Sequence, residues 1–452
     1  MIKMRSTALL LLCLLSPVVS AGYSASQEIP EAWTARNSVA FALDNSPDSR
    51  IALQRMEMAG AAVNQARVGY YPHVDISALY GQTNNPMYSF GSILNQGTFS
   101  QSIDFNDPGR TDDLNLRAGI EYRLYNGGRD VATVDAANAG FERSRMDLEV
   151  VHSRLAFEVV QSFQSMVQAG EMLEARKASL DAIQASLAVA RARYRAGDLL
   201  KTDLLNLEVL ESRATENLIL AEHDLELSRR IFLNLLGLEE GPVVINPSRE
   251  SEQRLPQDRS YAQRAELKSL ASAEAAAVAM LRAAKGGNLP TVDGFASYQY
   301  DKGYVMEGEG DSWMAGVKVN YRLFEGHKTS ADVAKAMAEL STVRAQRKKA
   351  ELGMDLEIKQ ADLSYHQAEQ RFHVTEKMVE QAEESARLSR SRFREGVILS
   401  SDLIDVEMRL TDALVRQSVA KANIKVAIAD LRRAMGLPQF EKSAMTGEEE
   451  NR

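Results

Sequence analysis

Polar and apolar residues alternate strictly along four stretches of this chain. Between them, apolar residues recur every three or four positions over very long spans. The alternation is cleanest where Leu114, Leu116, Ala118, Ile120, Tyr122 and Leu124 interleave with Asp113, Asn115, Arg117, Gly119, Glu121 and Arg123. Successive strand side chains point to opposite faces, so the pattern predicts a strand with one apolar and one charged side. Val74, Ile76, Ala78 and Tyr80 predict a second strand, interrupted at Leu79, and Val292, Ala296, Tyr298 and Tyr300 a third. Trp313, Ala315, Val317, Val319, Tyr321 and Leu323, set against Gly316, Lys318, Asn320 and Arg322, predict a fourth. The expected spans are about 73–83, 113–125, 291–301 and 312–324. A twelve-residue alternation is longer than an ordinary soluble strand and suits a bilayer-spanning one, lipid on one face and water on the other. Gly81 to Asp112, rich in Asn, Gly, Ser and Gln, reads as a polar loop.

The helical period takes over after Asn126-Gly127-Gly128. Met166, Leu173, Leu180, Leu187 and Tyr194 recur every seven residues, and Ala169, Arg176, Ile183 and Ala190 follow each by three. This is a heptad seam with one charged exception, Arg176. It predicts a helix over about 130–196, roughly 100 Å long. Gly197-Asp198 ends it, and Thr202 or Asp203 can cap a return helix over 203–236. Tyr365, Phe372, Val379, Ala386 and Phe393 give a second long helix, about 329–395, with Gly396 as its end and a return helix over 402–435. Shorter Ala-rich helices are expected before the first and third strands, the former opened by Asn45-Ser46-Pro47-Asp48. The first of these has the length the return helix lacks, so it is expected to stack end to end with it.

The chain repeats itself. Tyr122-Arg123-Leu124-Tyr125-Asn126-Gly127 returns 199 residues later as Tyr321-Arg322-Leu323-Phe324-Glu325-Gly326. At the same offset Arg193-Tyr194-Arg195-Ala196-Gly197 returns as Arg392-Phe393-Arg394-Glu395-Gly396, and Leu236-Gly237-Leu238 as Met435-Gly436-Leu437. Two copies of one structural unit are expected. The organisation read from this is a signal peptide over 1–21, a first repeat over 22–238, a Pro-bearing linker over 239–258, a second repeat over 259–438 and a polar tail over 439–452. The signal is read from Lys3 and Arg5, the apolar run Ala8 to Leu15, and the small residues Val19-Ser20-Ala21.

Composition narrows the function. The 452 residues carry a formal net charge of −9, which argues against a nucleic-acid partner. The single cysteine, Cys13, lies inside the signal run, so the mature chain has no thiol for a disulfide, a Cys-metal site or a lipid anchor. His366 and His373 stand two helical turns apart, too far to share a metal. No nucleophile-and-base arrangement is present, so neither an enzyme nor a cofactor is expected. After the signal, no stretch has the apolar length of a membrane-spanning helix, which leaves strands as the means of crossing a bilayer. Four strands cannot close a useful barrel, and an open edge is not tolerated in lipid. Several chains must therefore pool their strands, with the helices forming a soluble tube continuous with the barrel. The inward charges Arg117, Glu121, Arg123, Lys318 and Arg322 would then line the lumen. The competing reading from the pattern is a soluble periplasmic coiled-coil scaffold with no pore.

The signal run, the doubled strand–strand–long-helix–Gly corner–helix unit and the Tyr-Arg-Leu-(Tyr/Phe)-x-Gly turns resemble the TolC-type outer-membrane efflux protein family, over essentially the whole mature chain. The resemblance implies a mixed α and β membrane protein. It would be a homotrimer with a twelve-stranded β-barrel in outer-membrane lipid and a coiled-coil α-helical tunnel in the periplasm. It implies a passive exit duct for small molecules, coupled to a periplasmic adaptor protein and an inner-membrane transporter, proton-driven or ABC-type. The alternative within the family is the outer-membrane component of a type I protein secretion system. The adaptor would grip the helix corners, at Arg195, Gly197, Arg394 and Gly396.

The run from Gly396 to Asp405 is similar to the family's Gly-x5-Asp-x2-Asp hairpin, so Asp402 and Asp405 would ring the periplasmic gate. Thr202 and Asp203 match the family's closing Thr-Asp pair. The tyrosine and arginine that those two contact in the family are replaced here by Phe393 and Ile398. A different lock is therefore expected, with Arg394, Arg392 or Lys201 as candidates. The plainer reading of Asp402 and Asp405 is a helix cap and a first-turn carboxylate favoured by the helix dipole.

Overall fold

The structure is a computed structural model that describes residues 29–246 and 253–440. The expected signal peptide, the middle of the linker and nearly all of the polar tail lie outside the described residues. In chain order the elements are α1 (Ala35–Asn45), α2 (Pro47–Ala66), β1 (His73–Thr83), α3 (Pro86–Asn95), β2 (Thr111–Tyr125), α4 (Arg129–Ala196), α5 (Lys201–Leu236), α6 (Ala265–Lys285), β3 (Thr291–Lys302), β4 (Glu309–Asn320), α7 (Lys328–Arg394) and α8 (Ser400–Ala434).

The four strands form one antiparallel sheet in the order β1-β2-β3-β4. Its register keeps the two chemistries apart. Ile76 faces Ala118 and Ala118 faces Tyr298, while Ser77 faces Arg117 and Arg117 faces Gln299. Across the last pair Tyr298 faces Trp313 and Asp293 faces Lys318. One side of the sheet is thus aliphatic and aromatic and the other is charged. The apolar side is bare: Ile76 is 83% and Trp313 77% exposed. A soluble sheet would bury that face against a second layer. Leaving it bare suits contact with lipid. In solvent, β1 and β4 are unpaired edges.

Two expectations are corrected here. β4 ends at Asn320, not near residue 324, so Tyr321, Arg322 and Leu323 lie beyond the strand. The cause is its partner: Asn320 pairs with Thr291, the first residue of β3. Pro290, just before it, has no N–H to extend the ladder. The Gly81–Asp112 segment is not wholly loop, because it contains α3. Asn85 caps that helix by accepting from the Met87 N–H (3.1 Å), and Pro86 occupies its first turn.

The helices pack side by side along their lengths. α4, 68 residues long, runs through the middle, and α7, 67 residues long, lies at one edge. In the corner half α4 packs against α5 and α8, α8 packs against α7, and α5 also touches α8; nearer the sheet α4 packs against α2 and α6, and α6 against α7. α5 stops where α2 starts: a Cβ on Gly237 would stand 3.1 Å from the Pro47 ring. The two stack end to end along the edge opposite α7. α8 meets the start of α6 in the same way, through Gly436 and Arg264.

At mid-height Trp33, Phe41, Leu155, Phe163, Phe232 and Leu236 make the largest buried cluster. Trp33 packs edge-on to Phe41 and Phe232, with centroids 5.3 and 5.7 Å apart. A second cluster lies at the corner end, formed by Ile183, Leu187, Ala190, Leu207, Leu210, Phe393 and Leu403.

Candidate functional site: helix corners and the wet face of the sheet

Each long helix ends in a tight left-handed turn. Gly197 has φ +85° and Gly396 φ +81°. The Gly197 N–H donates to Tyr194 O (3.1 Å) and the Asp198 N–H to Arg193 O (2.9 Å). Gly396 and Val397 repeat the pair on Phe393 O (3.1 Å) and Arg392 O (2.9 Å). This double bond satisfies the last carbonyls of the helix and needs a residue that tolerates positive φ. Arg195 and Arg394 stand exposed on the last turns, where cations complement the helix dipole. The tips also carry bare apolar side chains, Leu200, Val397 and Leu399.

The two corners are bound into one unit by Arg193 and Ser400, to which the sequence reading gave no role. Arg193, from α4, donates through Nη1 to Phe393 O (3.0 Å) and through Nη2 to Asp198 O (3.2 Å). Its guanidinium also lies over the Phe393 ring, 5.4 Å from the centroid. Ser400 Oγ donates to Asp203 Oδ1 (2.8 Å), joining the start of α8 to the start of α5. Just above, Arg390 grips Glu407 in a two-point bond, Nε to Oε1 at 2.5 Å and Nη2 to Oε2 at 2.7 Å. Glu407 is buried. That hydrogen bond, against a partial cost of burial, holds the Arg390 pKa above its usual value.

Asp203 thus takes part in a cross-corner bond, while Thr202 is exposed. Of the candidate locking cations, Arg394 bonds its own helix at Arg390 O (3.4 Å). Asp402 and Asp405 both lie exposed near the start of α8. They differ in one respect. Asp405 pairs with Arg409 one turn on, 2.6 Å away. A four-residue Asp–Arg spacing on a helix was the available signal for this pair.

On the sheet, Arg117, Glu121, Arg123 and Lys318 share the charged side. Arg123 sits 3.7 Å from both Asp293 and Asp130. Arg322 instead lies past β4, 3.6 Å from Glu325. The charged side carries five carboxylates (Asp75, Asp113, Glu121, Asp293, Asp301) against three cations (Arg117, Arg123, Lys318). No described helix is long and apolar enough to cross a membrane. The described residues hold no cluster suited to a metal ion.

Comparison with known proteins agrees with this geometry. The family model described as "Outer membrane efflux protein" matches residues 39–238 and 258–437. The outer membrane efflux protein BepC of Brucella suis is 24% identical over 304 residues, 65% of this chain and 64% of that protein. Protein CyaE of Bordetella pertussis is 24% identical over 320 residues, 68% of this chain and 64% of that one. The chain therefore spans a little under two thirds of the length of these relatives. The CmeC outer membrane channel of Campylobacter jejuni shares the fold at a TM-score of 0.78, with 15% identity across 93% of this chain and 92% of that one.

Proposed function

The chain belongs to the outer membrane efflux protein family, and on that premise we propose that it is the outer-membrane exit duct of a tripartite efflux pump. It lets small molecules pass the periplasm and the outer membrane without doing chemistry on them. One observation carries this reading: every protomer is left open on two sides, and the open sides match from sheet to corner. β1 and the α2–α5 stack bound one side, and β4 and α7 bound the other. Both edge helices carry bare apolar side chains, Leu205, Val209, Ile219 and Leu227 on α5 and Leu352, Leu356, Leu363 and Val374 on α7.

Unlike edges of one chain join head to tail, and such contacts close into a ring when the rotation between copies closes. Two chains would pool only eight strands, whose side chains largely fill their own interior. Membership of the family implies three, a homotrimer with twelve pooled strands, the charged sheet face inside and the apolar face on lipid. The corners then sit at the periplasmic end, where Asp402 and Asp405 surround the axis as the gate. Arg195, Gly197, Arg394 and Gly396 present the surface for a periplasmic adaptor and its inner-membrane transporter.

The test is export itself. Cells lacking this chain should accumulate a fluorescent efflux dye, and the full chain should restore its removal. An Ile76→Pro variant, which cannot pair along β1, should not. Unchanged dye removal in the deletion would overturn the efflux reading. If the deletion instead removes a protein from the culture medium, the secretion alternative takes its place.

A further inference from the structure

We propose that the segment between β1 and β2 is a folded arm that lies over the wet face at the outer mouth and narrows the exit. This rests on the duct reading given above, and it concerns the end of the duct opposite the helix corners.

The arm has its own structure. Ile93 is fully buried, and Phe90, Phe99 and Phe105 pack on one another with centroids 4.5 to 6.0 Å apart. Ser89 Oγ lies 3.2 Å from both Thr83 O and Gly109 O, which draws the two ends of the arm together.

The side on which it lies is fixed by three glycines of the β3–β4 hairpin. Gly310 pairs with Asp301 on the charged side of the sheet. A Cβ there would run into the Asn95 carbonyl. A Cβ on Gly303 would meet Gln96 Oε1, and one on Gly308 would meet Thr98 and lie 2.6 Å from Gln96 O. The hairpin therefore leaves a side-chain-free seat on its wet side, and residues 95–98 occupy it. Gln96 fastens them: it is 2% exposed, and its Nε2 donates to Asp112 O (2.7 Å) and to Asp113 Oδ1 (3.1 Å). Asp112 in turn accepts the Tyr304 N–H (3.0 Å) and the Val305 N–H (2.7 Å), holding the hairpin turn to β2. In a closed ring each subunit places one such arm on the lumen side of its own strands, so the arms converge on the axis.

The natural chain has its single cysteine at Cys13, so a cysteine probe can be placed cleanly in a Cys13→Ser background. Ser77→Cys sits on the wet face opposite Arg117, and Ile76→Cys on the lipid face opposite Ala118. Intact cells are treated with a small charged maleimide and with a bulky polyethylene-glycol maleimide. With the arm intact, Ser77→Cys should react with the small reagent and resist the bulky one. Gln96→Ala, or replacement of residues 86–108 by a short Gly-Ser turn, should speed the bulky reagent several-fold at Ser77→Cys and leave the small reagent unchanged. Equal rates of bulky labelling with and without the arm would overturn the proposal. If the small reagent reaches Ile76→Cys and not Ser77→Cys, the wet face has been misassigned, and the duct reading falls with it.

Discussion

At the scale of single residues, charge placement separates a gate from a cap. Asp402 and Asp405 look equivalent in sequence, three positions apart on one face. Arg409 breaks the equivalence by pairing with Asp405. The pair is exposed and contributes only a few tenths of a kcal/mol to stability, yet in the proposed duct it would halve the net negative charge that these two aspartates offer the axis. Asp402→Ala alone should therefore remove most of the block of single-channel current by divalent cations, and Asp405→Ala should remove little. Arg409→Gln should strengthen the block. Equal effects of the two aspartate variants in bilayer recordings would show that the pairing does not shape the mouth.

Glu407 is a different case. Its carboxylate is buried, and removing its partner leaves it uncompensated, so Arg390→Ala should cost roughly 3 kcal/mol. Lower heat-modification temperature on gels measures this. Removing both partners, as Arg390→Met with Glu407→Leu, should restore most of the loss.

At the scale of elements, alternation and heptads were legible because they record which side of a strand or helix meets water. The lengths of β1 and of the long helices, and the glycine corners, follow from that record alone. What was not legible depends on a partner. β4 stops at Asn320 because β3 has nothing to offer past Thr291, and no local pattern in β4 says so. α3 is short, and its start signals, Asn85 and Pro86, lie inside a stretch whose composition reads as loop. The cross-corner ties were hidden for a related reason. Arg193 and Arg392 are twins in the repeat, and only the meeting of the two corners shows Arg193 reaching the opposite one.

The corners carry their own prediction. A β-branched residue at positive φ costs about 1–2 kcal/mol locally. Gly197→Val and Gly396→Val should therefore disturb the proposed adaptor surface while the distant sheet and mid-height core still assemble. Pull-down of the periplasmic adaptor should fall several-fold with oligomer yield nearly unchanged. Parallel loss of both would assign these glycines to folding alone. Arg193→Ala loosens the tie between corners without changing either turn, so it should raise open probability and leave adaptor capture intact.

At the scale of the whole molecule, the chain is an incomplete object. Its sheet has lipid-compatible apolar residues on one face, water-compatible charges on the other and two unpaired edges. Its edge helices, α5 and α7, each carry bare apolar side chains. In the proposed ring these features satisfy one another between copies. There, five carboxylates against three cations on the wet face would give the enclosed passage a preference for cations. A monomer gains neither enclosure nor preference.

The most direct measurement is the ionic current carried by purified full-length protein across a planar lipid bilayer under a salt gradient. The account predicts stepwise conductance from the oligomeric fraction, with a reversal potential on the cation side. Protein that stays monomeric in detergent and passes no current would contradict it.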